Sequence, residues 1–218
     1  MNRLVPVLAI IVAAMFAYAP VMIVHAPYES TMGLVQKIFY FHVPAAMTMF
    51  LAAFVCGIAS VIYLFGRRAH ADRVALAAAE LASLFGLIVL VSGPLWARKA
   101  WGVWWDWDAR LTSTLVLWLT FQAYLLLRRY GGPGSDRLAA GIAIFAMANV
   151  PFVYWSVNVW RTLHPKTTVV PSLQAGMREP FWFCAFAFLG LFVLMLAART
   201  RLEQRRAELE KLYLAVEE

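Results

Sequence analysis

A chain of 218 residues that is 63% hydrophobic and only 14% charged cannot be an ordinary soluble domain, because so few charges would leave its apolar surface facing water. Its mean hydropathy of +0.71 indicates that the solvent is lipid. The only two cysteines, Cys56 and Cys184, lie in apolar runs and form no C-x-x-C pair, which argues against thiol redox chemistry and a disulfide framework. The net charge of +7 is compatible with a nucleic-acid partner, but the distribution of the charges argues against one.

Six apolar segments are each long enough to cross a bilayer as a helix, which takes about 20 residues. We predict them at residues 4–24, 44–66, 74–95, 111–127, 138–158 and 180–198. The first resembles a signal peptide, but its apolar run is too long for a cleaved one, and we expect it to remain as a helix. The predicted fold is therefore all-α, a polytopic membrane protein in which residues 1–218 form a single six-helix domain.

The positive charges predict the orientation of the spans. Six spans place both termini on one side, and twelve of the nineteen Lys and Arg residues lie on that side. Because positively charged connections stay in the cytoplasm, both termini are predicted to be cytoplasmic. The tail at 199–218 repeats apolar residues among charges and is predicted to continue the sixth helix, either as a solvated, membrane-anchoring end or as a partner-docking helix.

The outer connections are longer than the inner ones and lie at roughly 25–43, 96–110 and 159–179. Connections of this length tend to carry function. Within the predicted spans the only ionisable residue is Glu80, near a cytoplasmic end, and there is no histidine. This argues against an ion-coupled transporter and against haem held between facing helices, so we expect the chemistry at the outer face.

The outer connection 96–110 is unusually rich in tryptophan, with five within twelve residues, which is denser than the aromatic belt of ordinary membrane proteins. If this segment is helical, four residues share one face at the spacing i, i+3, i+4, i+7, with Trp107 at its edge: Trp101, Trp104, Trp105 and Asp108. We therefore predict an amphipathic loop or helix that presents a flat aromatic platform at the outer face. Haem would fit such a surface, and so would a quinone head group.

Two of the four histidines are candidates for iron ligands. His42 and His164 are both predicted outside, in aromatic surroundings and near a proline, whereas His25 is expected to be interfacial and His70 a solvated loop residue. Pro44 suits the first turn of the second helix and would place His42 at its entrance. Two neutral imidazoles can bind haem iron from opposite faces.

Carboxylates on such a ligand would need cations on the same side. The candidates on the outer side are Lys37, Arg98, Lys99, Arg110, Arg161 and Arg178. Of these, Lys37, Arg110 and Arg161 are our predicted binding residues.

Trp101–Ser113 closely resembles the WWD signature, WGxWWxWDxRLTS, of the cytochrome c biogenesis superfamily that contains the CcmC, CcmF and CcsA families. Phe41–Ala46 and Trp160–His164 resemble the two histidine-bearing segments of CcmC, and the similarity extends across all six spans. Members of the other two families are larger, so the chain is most similar to CcmC.

The resemblance implies a haem-binding and haem-delivery protein of the bacterial inner membrane, not an enzyme, with its site on the periplasmic side. It implies haem b, with His42 and His164 as axial ligands, and a platform in which Asp108 is important. The implied partners are a CcmE-like haem chaperone, a CcmD-like small membrane protein and a CcmAB-like ABC transporter, besides the lipid bilayer. One departure is Lys37, where the family commonly has arginine; a contact to a propionate would keep its charge but lose the bidentate geometry.

Two other functions stay open on the residues alone. A quinone-linked oxidoreductase subunit would use the same aromatic platform, and a transporter would pass haem through the bundle itself. The lack of redox cysteines counts against the first, and the sparse polarity of the spans counts against the second.

Overall fold

A computed structural model describes residues 4–217 of the chain. Residues 1–3 and residue 218 lie outside the described residues, and so does Arg3, which was counted for the orientation. The described part contains six α-helices and a short 3₁₀-helix at Leu34–Ile38. The helices are α1 (Leu4–His25), α2 (Phe39–Gly66), α3 (Ala69–Trp101), α4 (Ala109–Tyr130), α5 (Ser135–Val159) and α6 (Arg178–Glu217). Each is long and apolar enough to cross a membrane, so the predicted six-helix membrane fold is confirmed.

Most helices extend past the predicted spans, because the spans were predicted from apolar residues whereas helical hydrogen bonding continues into the flanking polar turns. Helix α3 is an example: it begins near Asp72 and ends near Arg98 and Lys99. An acidic first turn and a basic last turn both stabilise a helix through its dipole. The two turns at one end of the bundle are consequently short, at 67–68 and 131–134. The connections 26–38, 102–108 and 160–177 share the other end, which we call the loop end.

Helix α2 occupies the centre of the bundle and packs against α3, α5 and α6, while α4 packs against α3 and α5, and α1 against α6. Many of the buried residues of α2 and α3 have small side chains, among them Ala52, Ala53, Ala78 and Ala82, all fully buried. Small residues let membrane helices approach closely and gain van der Waals contact. This close packing fixes α2 and α3, the two helices that carry much of the site described below.

The described part of α6 spans 40 residues without a break, which agrees with the predicted continuation of the sixth helix into the tail. Arg199 forms a two-point ion pair with Glu80 of α3, with Nε–Oε2 and Nη2–Oε1 distances of 2.5 and 2.6 Å. Glu80 is therefore a packing residue that ties α6 to α3.

Two local predictions were wrong. Pro44 is not in the first turn of α2, because the 3₁₀-helix leads straight into α2 and the chain is already helical before the proline. His42 accordingly lies within α2 and not at its entrance, in the part of the helix that precedes the predicted span 44–66.

The WWD segment is not an amphipathic helix. Gly102 ends α3 in the left-handed conformation, with φ +79°, and Asp108 caps the start of α4, so 102–108 forms an irregular loop.

Candidate functional site

A cavity of about 590 Å³ lies at the loop end of the bundle, lined by residues of α2 to α6 and of the connections 102–108 and 160–177. Its volume is within the range of about 300 to 1,000 Å³ that is usual for small-molecule sites. The walls are mainly apolar and aromatic, and their charged residues and histidines are His42, Asp106, Arg110, His164, Lys166 and Arg178. The cavity therefore suits a large apolar ligand with a small number of polar substituents.

His42 reaches this cavity from α2 and is buried. Its Nδ1 lies 2.9 Å from the hydroxyl oxygen of Ser92 on α3. The edge of the imidazole meets the ring of Trp96, with centroids 5.6 Å apart and an interplanar angle of 78°. The ring is thus held by α3 and has little freedom to turn.

His164 lines the same cavity from the connection 160–177. Its Nδ1 lies 2.8 Å from the carbonyl oxygen of Pro165; because a carbonyl can only accept, Nδ1 carries the proton and Nε2 keeps its lone pair. Burial and, next, the charge of Arg110 lower the pKa of His164 to about 4. At neutral pH the imidazole is uncharged, which is the form that binds a metal.

Asp108 joins the WWD loop to the His164 connection. Its Oδ1 accepts a hydrogen bond of 2.7 Å from the backbone N–H of Leu111 and so caps α4, while Oδ2 accepts one from the Thr162 hydroxyl. The Thr162 oxygen in turn accepts from the backbone N–H of His164 at 3.0 Å. Asp108 is predicted from sequence as a ligand-binding residue, but it does not line the cavity; it is placed to act through His164.

The four tryptophans of the predicted platform divide into two pairs. Trp101 and Trp105 line the cavity, and Trp101 stacks on Trp96 with centroids 6.3 Å apart. Trp104 and Trp107 are 58% and 75% exposed and lie outside the lining. Because the loop is irregular, its tryptophans do not form the single face that a helix would give.

Of the three cations predicted to bind the ligand, one lines the cavity and two lie outside it. Arg110 lines the cavity, with Nη1 2.5 Å from the carbonyl oxygen of Val153. Lys37 lies outside the lining, because its amine donates to the carbonyls of Ile23 and Val24 at the end of α1, at 2.8 and 2.6 Å. Arg161 is exposed and also outside the lining.

Sequence reasoning missed several residues of the site as predicted binding residues. Arg178 and Lys166 line the cavity, and Arg178 is anchored by a bond of 2.7 Å from Nε to the Leu173 carbonyl. Trp96 was missed as well; its indole N–H and that of Trp105, which was predicted, are buried in the cavity wall and have no partner among the described residues. Buried donors of this kind need an acceptor, which a ligand or an ordered water in the cavity can supply. The available signal for Arg178 was its positive charge on the predicted outer side, and for Trp96 it was the Ser92-Gly93-Pro94 interruption of an apolar span.

Fold and cavity together define a multi-pass membrane protein with a histidine-lined cavity at one end of its helix bundle. A family model described as "CcmC: Heme exporter protein C" matches residues 1–214. The chain belongs to this CcmC family, and the resemblance read from the WWD segment is confirmed.

Relatives with similar names come from bacteria and from a plant mitochondrion. Heme exporter protein C of Bradyrhizobium diazoefficiens is 34% identical over 216 residues, covering 96% of this chain and 82% of the relative. The protein of the same name from Escherichia coli K12 is 33% identical over 201 residues, with 87% and 80% covered. A putative cytochrome c biosynthesis ccmC-like mitochondrial protein of Marchantia polymorpha is 32% identical over 176 residues, with 78% and 75% covered.

Proposed function

We propose that this protein binds haem b in the cavity, with His42 and His164 as axial ligands of the iron, and presents it for cytochrome c maturation. The observation that carries the proposal is that two imidazoles, each with Nδ1 in a hydrogen bond, line one apolar cavity. Metal-binding histidines generally use one ring nitrogen for the metal and the other for such a bond. The names of the relatives, which refer to haem export and cytochrome c biosynthesis, support haem as the cargo.

Haem suits the lining because its faces are apolar and its two propionates are anionic. Trp101 and Trp105 offer aromatic surface to the ring, and their neighbour Trp96 is already stacked against Trp101. Arg110, Lys166 and Arg178 are the cations of the cavity and replace Lys37 and Arg161 as the propionate partners that we favour. Hydrogen bonds between guanidinium and carboxylate groups are among the stronger ones in proteins.

One matched pair of variants tests whether haem binding depends on a cation of the cavity lining or on one outside it. We expect Arg178→Gln to weaken haem binding by about 10- to 150-fold, since a hydrogen bond to a charged group contributes about 1.5–3 kcal/mol. Arg161→Gln removes the same charge from an exposed position outside the cavity and should leave affinity unchanged. Titration of both purified variants with haem measures the effect; equal losses, or a loss only in Arg161→Gln, would contradict the assignment.

Delivery requires a surface that a partner can reach. Trp104 and Trp107 are exposed beside the cavity wall formed by Trp105, and Trp107 meets the Trp105 ring edge-on at 5.7 Å. We assign this exposed pair to contact with a CcmE-like chaperone, and place a CcmD-like small protein and a CcmAB-like ABC transporter in the surrounding assembly. The protein in this proposal is a carrier of haem and catalyses no reaction.

Haem binding and transfer test the proposal directly. Purified protein given haem should show the visible spectrum of a six-coordinate, two-histidine iron, and the haem should move to a CcmE-like chaperone without turnover of any substrate. If the protein binds no haem but supports quinol-dependent reduction of an acceptor, it is instead a quinone-linked oxidoreductase subunit. If haem crosses sealed vesicles containing the protein alone, it is a transporter.

The proposed orientation puts the loop end in the periplasm and both termini in the cytoplasm of a bacterial inner membrane. The native Cys56 and Cys184 are buried, so an introduced cysteine can report its side. We expect Thr168→Cys, in the connection 160–177, to react with a membrane-impermeant maleimide in intact spheroplasts. His70→Cys, exposed at the opposite end of the bundle, should react only after lysis. The reverse pattern would overturn the orientation.

A further inference from the structure

Ser92 connects the His42 imidazole to the backbone of α3. Its hydroxyl donates a hydrogen bond of 2.6 Å to the carbonyl oxygen of Ile88, one turn earlier in the helix. A hydroxyl has a single proton, so towards the His42 Nδ1, 2.9 Å away, the same oxygen must act as an acceptor. The His42 Nδ1 therefore carries the proton, and its Nε2 keeps the lone pair.

The rest of the His42 ring is held by the same face of α3. Gly93 lies against it so closely that a Cβ there would sit 3.3 Å from Cε1 of the imidazole. Trp96, one turn beyond Ser92, packs against the ring edge. Ser92 thus sets the tautomer of a ring whose position the neighbouring residues already restrict.

We propose that Ser92 is a positioning residue for haem binding: by accepting from Nδ1–H it holds His42 in the tautomer whose Nε2 can bind iron. The inference rests on the proposed function of His42. The two histidines then depend on different supports. His164 uses the carbonyl of the adjacent Pro165, which no side-chain substitution removes, whereas His42 depends on one hydroxyl of another helix. Support of this kind commonly changes metal affinity by about 10- to 100-fold.

Three variants isolate the hydroxyl. Ser92→Ala removes it, and Ser92→Thr keeps it, because threonine in a helix can make the same bond to the carbonyl four residues earlier. Thr120→Val is the control, since Thr120 bonds the carbonyl of Val116 at 2.7 Å in the same way but lies outside the cavity lining and outside the WWD signature. The first measurement is the ring ¹⁵N shift of His42 in the haem-free, ¹⁵N-histidine-labelled protein, assigned by its loss in His42→Ala. The second is haem affinity.

We expect a single Nδ1–H tautomer for His42 in the native protein, in Ser92→Thr and in Thr120→Val. Ser92→Ala should show a mixture of tautomers and bind haem about 10- to 100-fold more weakly. An unchanged tautomer in Ser92→Ala would overturn the inference, even if affinity fell, because the effect would then be merely structural; an unchanged affinity would also overturn it. If His42→Ala itself leaves haem affinity unchanged, the proposed function fails and the role of Ser92 falls with it.

Discussion

Replacing either His42 or His164 by alanine will abolish the six-coordinate haem spectrum and leave iron with at most one protein ligand. Loss of only the hydrogen-bond partner of a metal ligand commonly weakens metal binding by about 10- to 100-fold. Loss of the ligand itself should weaken haem binding by at least as much. The double variant should bind no haem above the level of free detergent. Visible spectra and haem titrations of the purified proteins measure both effects.

The same experiment has an internal control and a chemical rescue. His25 lies at the same end of the bundle, is exposed and does not line the cavity, so His25→Ala should behave as the native protein. Added imidazole can replace a truncated axial ligand if the cavity itself is intact, and should restore the six-coordinate spectrum in each single variant. Unchanged spectra in both single variants would show that the iron ligands are other residues.

Asp108→Ala should have the second largest effect, because it removes two contacts at once. The α4 cap contributes about 0.5–2 kcal/mol. Loss of the second bond leaves the half-buried Thr162 hydroxyl without its acceptor, which costs at most about 1–3 kcal/mol. Because Thr162 also holds the backbone of His164, we expect a lower melting temperature and weaker haem binding together.

Two further variants separate these contributions. Asp108→Asn retains a good cap and should recover most of the melting temperature. Thr162→Val leaves the cap of α4 intact but breaks the connection to His164, so it should weaken haem binding with a smaller change in melting temperature. If Thr162→Val binds haem normally, Asp108 acts only by stabilising α4, and the proposed path to His164 is wrong.

The membrane fold was predictable because each span carries its own signal, an apolar run of sufficient length. The WWD segment was also predictable, because its tryptophans lie close together in the sequence and can be recognised without knowing any tertiary contact. The shape of that segment was not predictable from periodicity alone. Gly102 and Asp108 act as stop and start signals, and they override the helical spacing of the tryptophans between them.

The supporting residues of the site were hidden for a different reason. Ser92 and Thr162 are ordinary polar residues in the sequence. Their roles come from hydrogen bonds to His42 and to Asp108, respectively, each 50 residues or more away along the chain. Lys37 shows the opposite case, a residue that fits the site by sequence but not by structure. Its charge and position fit a propionate contact, but its amine donates to two carbonyls at the end of α1 instead. Tertiary contact, rather than local pattern, decides such roles.

The length of α6 has a consequence for the depth of the cavity in the membrane. From Arg178 in the cavity wall to Arg199 at the ion pair with Glu80, the helix rises about 32 Å at 1.5 Å per residue. The hydrocarbon core of a bilayer is about 30 Å thick, so the two arginines match its two boundaries. Sliding α6 in either direction would draw a charge into hydrocarbon, which is strongly unfavourable. Hydrophobic matching thereby favours a level for Arg178, and with it the wall of the cavity, close to the membrane boundary.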